Sequence, residues 1–220
     1  MKKFSEILKE KEKQKKQINT VNIEWQKHSN IIRQIGVHFE PKFVIDEFNK
    51  IAFKELLLYF TGNEEFSGDL NKGILLIGEI GTGKSLIFKI FKYYTMNIIR
   101  TNSFQMHSSI DIVDNVNTYG SEYLQQYSHN LDGSKPHPIR CYIDDLATVH
   151  EKIMHYGTEM NVIEQLISLR YNIFEKYGTL THSSSNIYPS EMKDRYDMRI
   201  IDRMKEMFNI IELTGNSRRN

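Results

Sequence analysis

Eight residues, Gly78-Glu79-Ile80-Gly81-Thr82-Gly83-Lys84-Ser85, follow directly on the apolar run Gly73-Ile74-Leu75-Leu76-Ile77. No other segment limits the fold as tightly. The run is short and apolar at every position, as a strand buried on both faces requires. A helix-compatible stretch follows, so the octapeptide is a turn from strand to helix, and it satisfies the pattern G-x-x-x-x-G-K-[ST]. Its glycines let the backbone curl so that several N–H groups converge on one anion, and the next helix adds a positive dipole end of roughly half a charge. The expectation is a triphosphate site built from Gly78 through Ser85. Lys84 is expected to reach the β- and γ-phosphates and the Ser85 hydroxyl to ligate magnesium.

The rest of the chain repeats the alternation that such a turn needs. Apolar runs at 103–108, 139–143, 179–184 and 209–213 read as further strands. Helical stretches lie between them at 84–99, 110–127, 159–177 and 190–207. An earlier helix is expected over 43–60, where Ile45, Phe48, Ala52, Leu56 and Tyr59 recur in steps of three and four, with Gly62 as its stop. This order predicts an α/β fold, a parallel sheet flanked by helices.

A magnesium-dependent phosphate site needs a carboxylate at the tip of a strand beside the phosphate loop. The segment Arg140-Cys141-Tyr142-Ile143-Asp144-Asp145 supplies two. Asp144 is the candidate on the magnesium side, and Asp145 the candidate for orienting or deprotonating an attacking water. An aspartate here could also cap the next helix.

With 220 residues, 40% of them hydrophobic, the chain can bury one sizeable core. A formal charge of +1 gives no global field for a polyanion, so any such contact is regional. The single cysteine, Cys141, excludes an intrachain disulfide and points to a reducing, cytoplasmic setting. No apolar run reaches bilayer length. Residues 1–20 hold seven lysines against three glutamates, which suggests a short basic helical arm at 1–40 that contacts protein or DNA, followed by one domain at 41–220. Trp25, Ile31, Ile32 and Ile35 could dock the arm, and Pro41 punctuates the chain. His150-Glu151 and His155 have a spacing of five rather than the four that a zinc-binding helix uses.

Taken together, these residues resemble the AAA+ ATPases of the DnaC and IstB type over about residues 40 to 220. Ile143-Asp144-Asp145-Leu146 looks like that group's Walker-B segment and Arg170-Tyr171 like its Arg-Tyr pair. Ser185-Asn186 resembles sensor 1, which implies that Asn186 polarises the water or the γ-phosphate. Tyr196, Arg199 and Asp202-Arg203-Met204 are similar to its arginine-finger element, and Gly215-Asn216-Ser217-Arg218-Arg219 to its terminal Gly-x-Ser-Tyr-Arg sequence. The resemblance implies Arg203 or Arg199 as the finger, with Arg203 favoured, and Arg219 or Arg218 as sensor 2. Asp197 and Met198 stand where the group often has glycine, and Arg218 where it has tyrosine. With the sequence ending at Asn220, no C-terminal lid domain is expected.

The resemblance further implies an ATPase using ATP and Mg2+, oligomeric through its arginine finger. It would load a replicative helicase onto single-stranded DNA. The rivals are a transposition helper on duplex DNA, an adaptor that binds ATP without turnover and, less suited to these arginines, a small-molecule kinase. For Arg170 two readings stay open, a stem packed with its head in water or an intersubunit contact.

Overall fold

The computed structural model describes residues 24–131, 136–147, 151–155 and 157–219. The basic arm expected at 1–20 and His150 lie outside them. The first helix is α1, Trp25–Phe39, followed by α2, Lys50–Thr61. Strand β1, Gly73–Ile77, leads into α3, Lys84–Tyr93, which widens into a π-helical turn at Tyr94–Ile98. Then come β2, Gln105–Ser108, α4, Ser109–Tyr119, and a 3-10 segment, Ser121–Tyr127. Two short pairs follow: β3, His129–Asn130, with β4, His137–Pro138, and, after β5, Cys141–Leu146, the hairpin of β6, Lys152–His155, with β7, Thr158–Asn161. The chain finishes with α5, Val162–Tyr177, β8, Thr181–Ser185, α6, Pro189–Met192, α7, Met198–Met207, and β9, Phe208–Glu212.

Five strands form one parallel sheet in the order β2-β5-β8-β1-β9. Alternation along β1 sends its side chains to two cores. Ile74 and Leu76 pack with α1, α2 and α3, whereas Leu75 and Ile77 pack with α4, α5 and α7. The expected fold class therefore holds: a parallel sheet with helices on both faces.

Local chemistry accounts for the boundaries. Gly62 ends α2 as read from the sequence, at φ +67°. The helix begins at Lys50, not near 43, because Asp46 and Asn49 knot the preceding loop. Asp46 Oδ1 accepts from the N–H groups of Phe48 and Asn49, and the Asn49 amide donates to the Val44 carbonyl. The stretch expected as a helix from 159 starts at Val162, where Asn161 caps it by accepting from the N–H groups of Ile163 and Glu164. His155 thus lies in a strand. The helix expected over 190–207 is broken: Asp197 caps a fresh start at α7 by accepting from the Arg199 N–H at 2.8 Å. Of the residues expected to dock α1, Ile32 and Ile35 are buried, while Trp25 is 41% exposed.

Strand β8 is central yet polar: Thr181, His182, Ser183, Ser184 and Ser185 are all buried. Each of these five side chains makes a hydrogen bond, as burial demands. Ser183 Oγ donates to the Ile143 carbonyl at 2.5 Å, Ser185 Oγ to that of Leu146 at 3.1 Å, and His182 Nδ1 accepts from the Ile74 N–H. Arg170 is fully buried, so neither expected reading of it stands. Its guanidinium donates to Thr181 Oγ1 and to the carbonyls of Leu180, Ile139 and Ser128, joining β8 to the strand-entry loops. Burial of the His107 imidazole, followed by the charges of Lys92 and Arg170, lowers its pKa to about 4.

Candidate nucleotide site

The carboxyl ends of β1, β5 and β8 open into a cleft of about 800 Å³. Ligands bind at this edge of parallel sheets because the following loops and helix N-termini meet there. The phosphate loop forms one wall. Gly81 and Gly83 adopt φ +84° and +101°, a region closed to most side chains. At Gly81 a Cβ would come within 2.2 Å of Ser217 Oγ, whereas at Gly83 it would meet nothing within 4 Å. The first packs against the C-terminal tail and the second leaves the approach to the cleft open.

Lys84 opens α3 with its ammonium folded onto its own loop, donating to the carbonyls of Gly78 at 2.6 Å and Glu79 at 2.9 Å. Burial lowers its pKa, against the raising pull of Asp145, Asp144 and Glu79. Gly78 and Glu79 do not line the cleft; they supply carbonyls to Lys84 and, from Glu79, to Thr82 Oγ1. The other loop residues, Ile80 through Ser85, line it directly.

Ser85 and Asp144 meet: Ser85 Oγ donates to Asp144 Oδ1 at 3.0 Å. The same oxygen accepts from Tyr142 Oη at 2.5 Å and Ser184 Oγ at 2.7 Å. Three hydroxyls thus orient one carboxylate. Tyr142 and Ser184 were missed in the sequence, although Tyr142 stands two residues before Asp144 on the same strand face. Asp144 and Ser85 offer the hard oxygen donors that Mg2+ takes, and with Lys84 beside them the residues fit a magnesium triphosphate.

Asp145 follows at a register shift between Ile143 and Leu146, with φ +61°. Its N–H donates to Ser184 Oγ, and its carbonyl accepts from Ser109 Oγ. The bulge turns Asp145 into the cleft lining. Burial raises its pKa first and Asp144 second, while Lys84 and Arg219 pull it down. A carboxyl pushed towards neutrality is suited to accept a proton.

Asn186, just past β8, also lines the cleft, as do Arg218 and Arg219. Arg218 is engaged elsewhere: its guanidinium holds Asp46 at 2.8 and 3.0 Å, and its N–H donates to the Gly81 carbonyl. Arg219 is the arginine whose charge acts on Lys84 and Asp145. Arg203 does not enter the cleft. It lines a separate hollow with Arg199 and Asp197, donates to Ser168 Oγ at 2.7 Å and lies 5.2 Å over the Tyr171 ring. Among the described residues, no helix is long and apolar enough to cross a membrane.

No family model and no curated protein matches the sequence. Solved structures are similar in fold. A candidate primosome component from Streptococcus pyogenes serotype M3 aligns at TM-score 0.53 and 17% identity, over 80% of this chain and 85% of that one. The replication initiator DnaA, bound to AMPPCP and single-stranded DNA, aligns at 0.52 and 17%, over 80% and 49%. The DnaC helicase loader aligns at 0.50 and 11%, over 80% and 95%. The chain shares the fold of these proteins.

Proposed function

We propose that this protein is an ATP-dependent AAA+ ATPase of DNA replication that loads a replicative helicase onto single-stranded DNA. The observation that carries the reading is the closure of Ser85 on Asp144 beside Lys84, with Asp145 and Asn186 at the same cleft. The likeness to the DnaC helicase loader, across most of both chains, supports the choice of replication, and the AMPPCP-bound DnaA supports the choice of nucleotide.

In this reading Lys84 leaves its two carbonyls to meet the β- and γ-phosphates, and the N–H groups of the first turn of α3 receive phosphate oxygens. Ser85 and Asp144 would hold Mg2+, which when bound would offset charge on the phosphates. Asp145 takes the proton of the attacking water while the Asn186 amide orients that water or the γ-phosphate. Arg219 adds positive charge from the same chain. Arg203 acts on the site of a neighbouring copy, which accounts for its distance from its own cleft; such an arginine is worth roughly 10³ to 10⁵ in rate. Turnover is faster in the oligomer or on DNA.

The test is a loading assay on circular single-stranded DNA with the replicative helicase encoded by the same genome. The proposal predicts ATP-dependent transfer of the helicase to the circle, abolished by Lys84→Ala. ATP turnover with neither helicase binding nor transfer would reject the loader role and leave the ATPase reading intact.

A further inference from the structure

A buried triangle of hydrogen bonds lies just beyond Asp145. The Ala147 N–H donates both to Glu151 Oε1 at 2.7 Å and to Tyr196 Oη at 2.8 Å, and Tyr196 Oη donates to Glu151 Oε1 at 2.8 Å. Ala147, Glu151 and Tyr196 are 2%, 4% and 3% exposed. Ala147 has φ +67°, so with Asp145 at +61° two residues bearing side chains occupy the left-handed region within three positions. Such backbone persists only where its surroundings hold it. The triangle does so by capturing the Ala147 N–H.

The same three residues reach the other arginine-bearing surface. Tyr196 directly precedes Asp197, which caps α7 and whose own N–H donates to Glu164 Oε1 on α5. Helix α7 carries Arg199 and Arg203. The Glu151 carbonyl accepts from the N–H of Val162, the first residue of α5, and α5 supplies Ser168 and Tyr171 to Arg203. One buried contact therefore fastens the turn that aims Asp145 to the root of the helix that aims Arg203.

We infer that Tyr196 and Glu151 are positioning residues for ATP turnover, setting the Asp145 turn and the Arg203 helix in a fixed relation through the Ala147 N–H. The inference rests on the ATPase reading above. Burial, and the Glu151 carboxyl beside it, raise the Tyr196 pKa, so its hydroxyl stays protonated and donates. Hydrogen bonding, not charge, is what holds the turn, since glutamine in place of Glu151 presents the same acceptor oxygen.

The experiment compares full-length wild type with Tyr196→Phe, Glu151→Gln and Glu151→Ala. It reads thermal midpoint, affinity for a non-hydrolysable ATP analogue with magnesium, and steady-state kcat and KM. Tyr196→Phe is expected to keep its fold, to bind the analogue within about twofold of wild type, and to lose about 10- to 100-fold in kcat with little change in KM, the scale of a misplaced catalytic group. Glu151→Gln is expected to recover most of the rate that Glu151→Ala loses. A Tyr196→Phe protein turning over at the wild-type rate overturns the inference. So does parallel loss of melting temperature, affinity and kcat with glutamine no better than alanine, which marks a purely structural contact. Wild type without any turnover sinks the ATPase reading itself, a separate result.

Discussion

Replacing Asp144 by asparagine separates what its carboxylate does for the fold from what it does for the nucleotide. Its Oδ1 accepts from three hydroxyls, those of Tyr142, Ser184 and Ser85. Asparagine offers an oxygen in the same place, so all three bonds can re-form as neutral ones. Bonds to a charged acceptor are worth about 1.5–3 kcal/mol and neutral ones about 0.5–1.5, so the exchange costs about 1 kcal/mol per bond. Removing the charge also relieves its desolvation and its repulsion of Asp145, which offsets much of that sum. The protein should therefore lose no more than about 2 kcal/mol in urea unfolding, a tolerable fraction of typical stability. Magnesium has no such substitute. Loss of one charge-assisted contact of about 1.5–3 kcal/mol corresponds to roughly 10- to 100-fold weaker binding. A fluorescent ATP analogue titrated with magnesium and with EDTA should show a magnesium-dependent gain in wild type that disappears in Asp144→Asn, with affinities in EDTA nearly equal. Retention of the full magnesium gain in the variant would refute the assignment of Asp144.

Arg170→Ala removes the four hydrogen bonds of a buried guanidinium and should cost about 3–5 kcal/mol in denaturant unfolding, with Arg170→Lys recovering part of it; a loss under about 1 kcal/mol would contradict the bonding described. Asp145 has a folded pKa above its unfolded value, so its contribution to stability is present below the unfolded pKa and is lost as pH rises through the folded one. Asp145→Asn should therefore melt higher than wild type at pH 7, the gap closing as pH falls below the ordinary carboxylate range, while ATP turnover is lost. Arg219→Ala should weaken nucleotide binding and slow turnover more than Arg218→Ala, because Arg218 is already committed to Asp46 across a partly exposed ion pair worth about 1 kcal/mol or less.

The parts of the site that were legible in sequence are those whose chemistry lies within one short segment. The octapeptide fixes its own backbone, because Gly81 and Gly83 must take positive φ, and the apolar β1 before it dictates a central strand. Asp144 and Asp145 could be read because a strand tip is a local feature. What escaped depends on distant partners. Arg170 draws its acceptors from residues near 128, 139 and 180, so no window around it shows why a guanidinium is buried. Strand β8 was found despite its serines, but the reason for them lies in the carbonyls and carboxylate of β5. The expected helix takes in residues 159–161 of β7, although Gly157, at φ +82°, marks the hairpin turn and Asn161 the helix start. The break before α7 had one local signal, Asp197 as a cap, and one hidden cause, the burial of Tyr196 against Glu151.

The central claim is that the Gly-rich turn and the Asp144 strand tip together hold a magnesium-bound nucleoside triphosphate. Calorimetric titration of ATP and magnesium into the folded protein tests it most directly. A saturable one-to-one heat that Lys84→Ala abolishes while remaining folded is the predicted result. A flat titration with folded wild-type protein, or unchanged binding in Lys84→Ala, would contradict it.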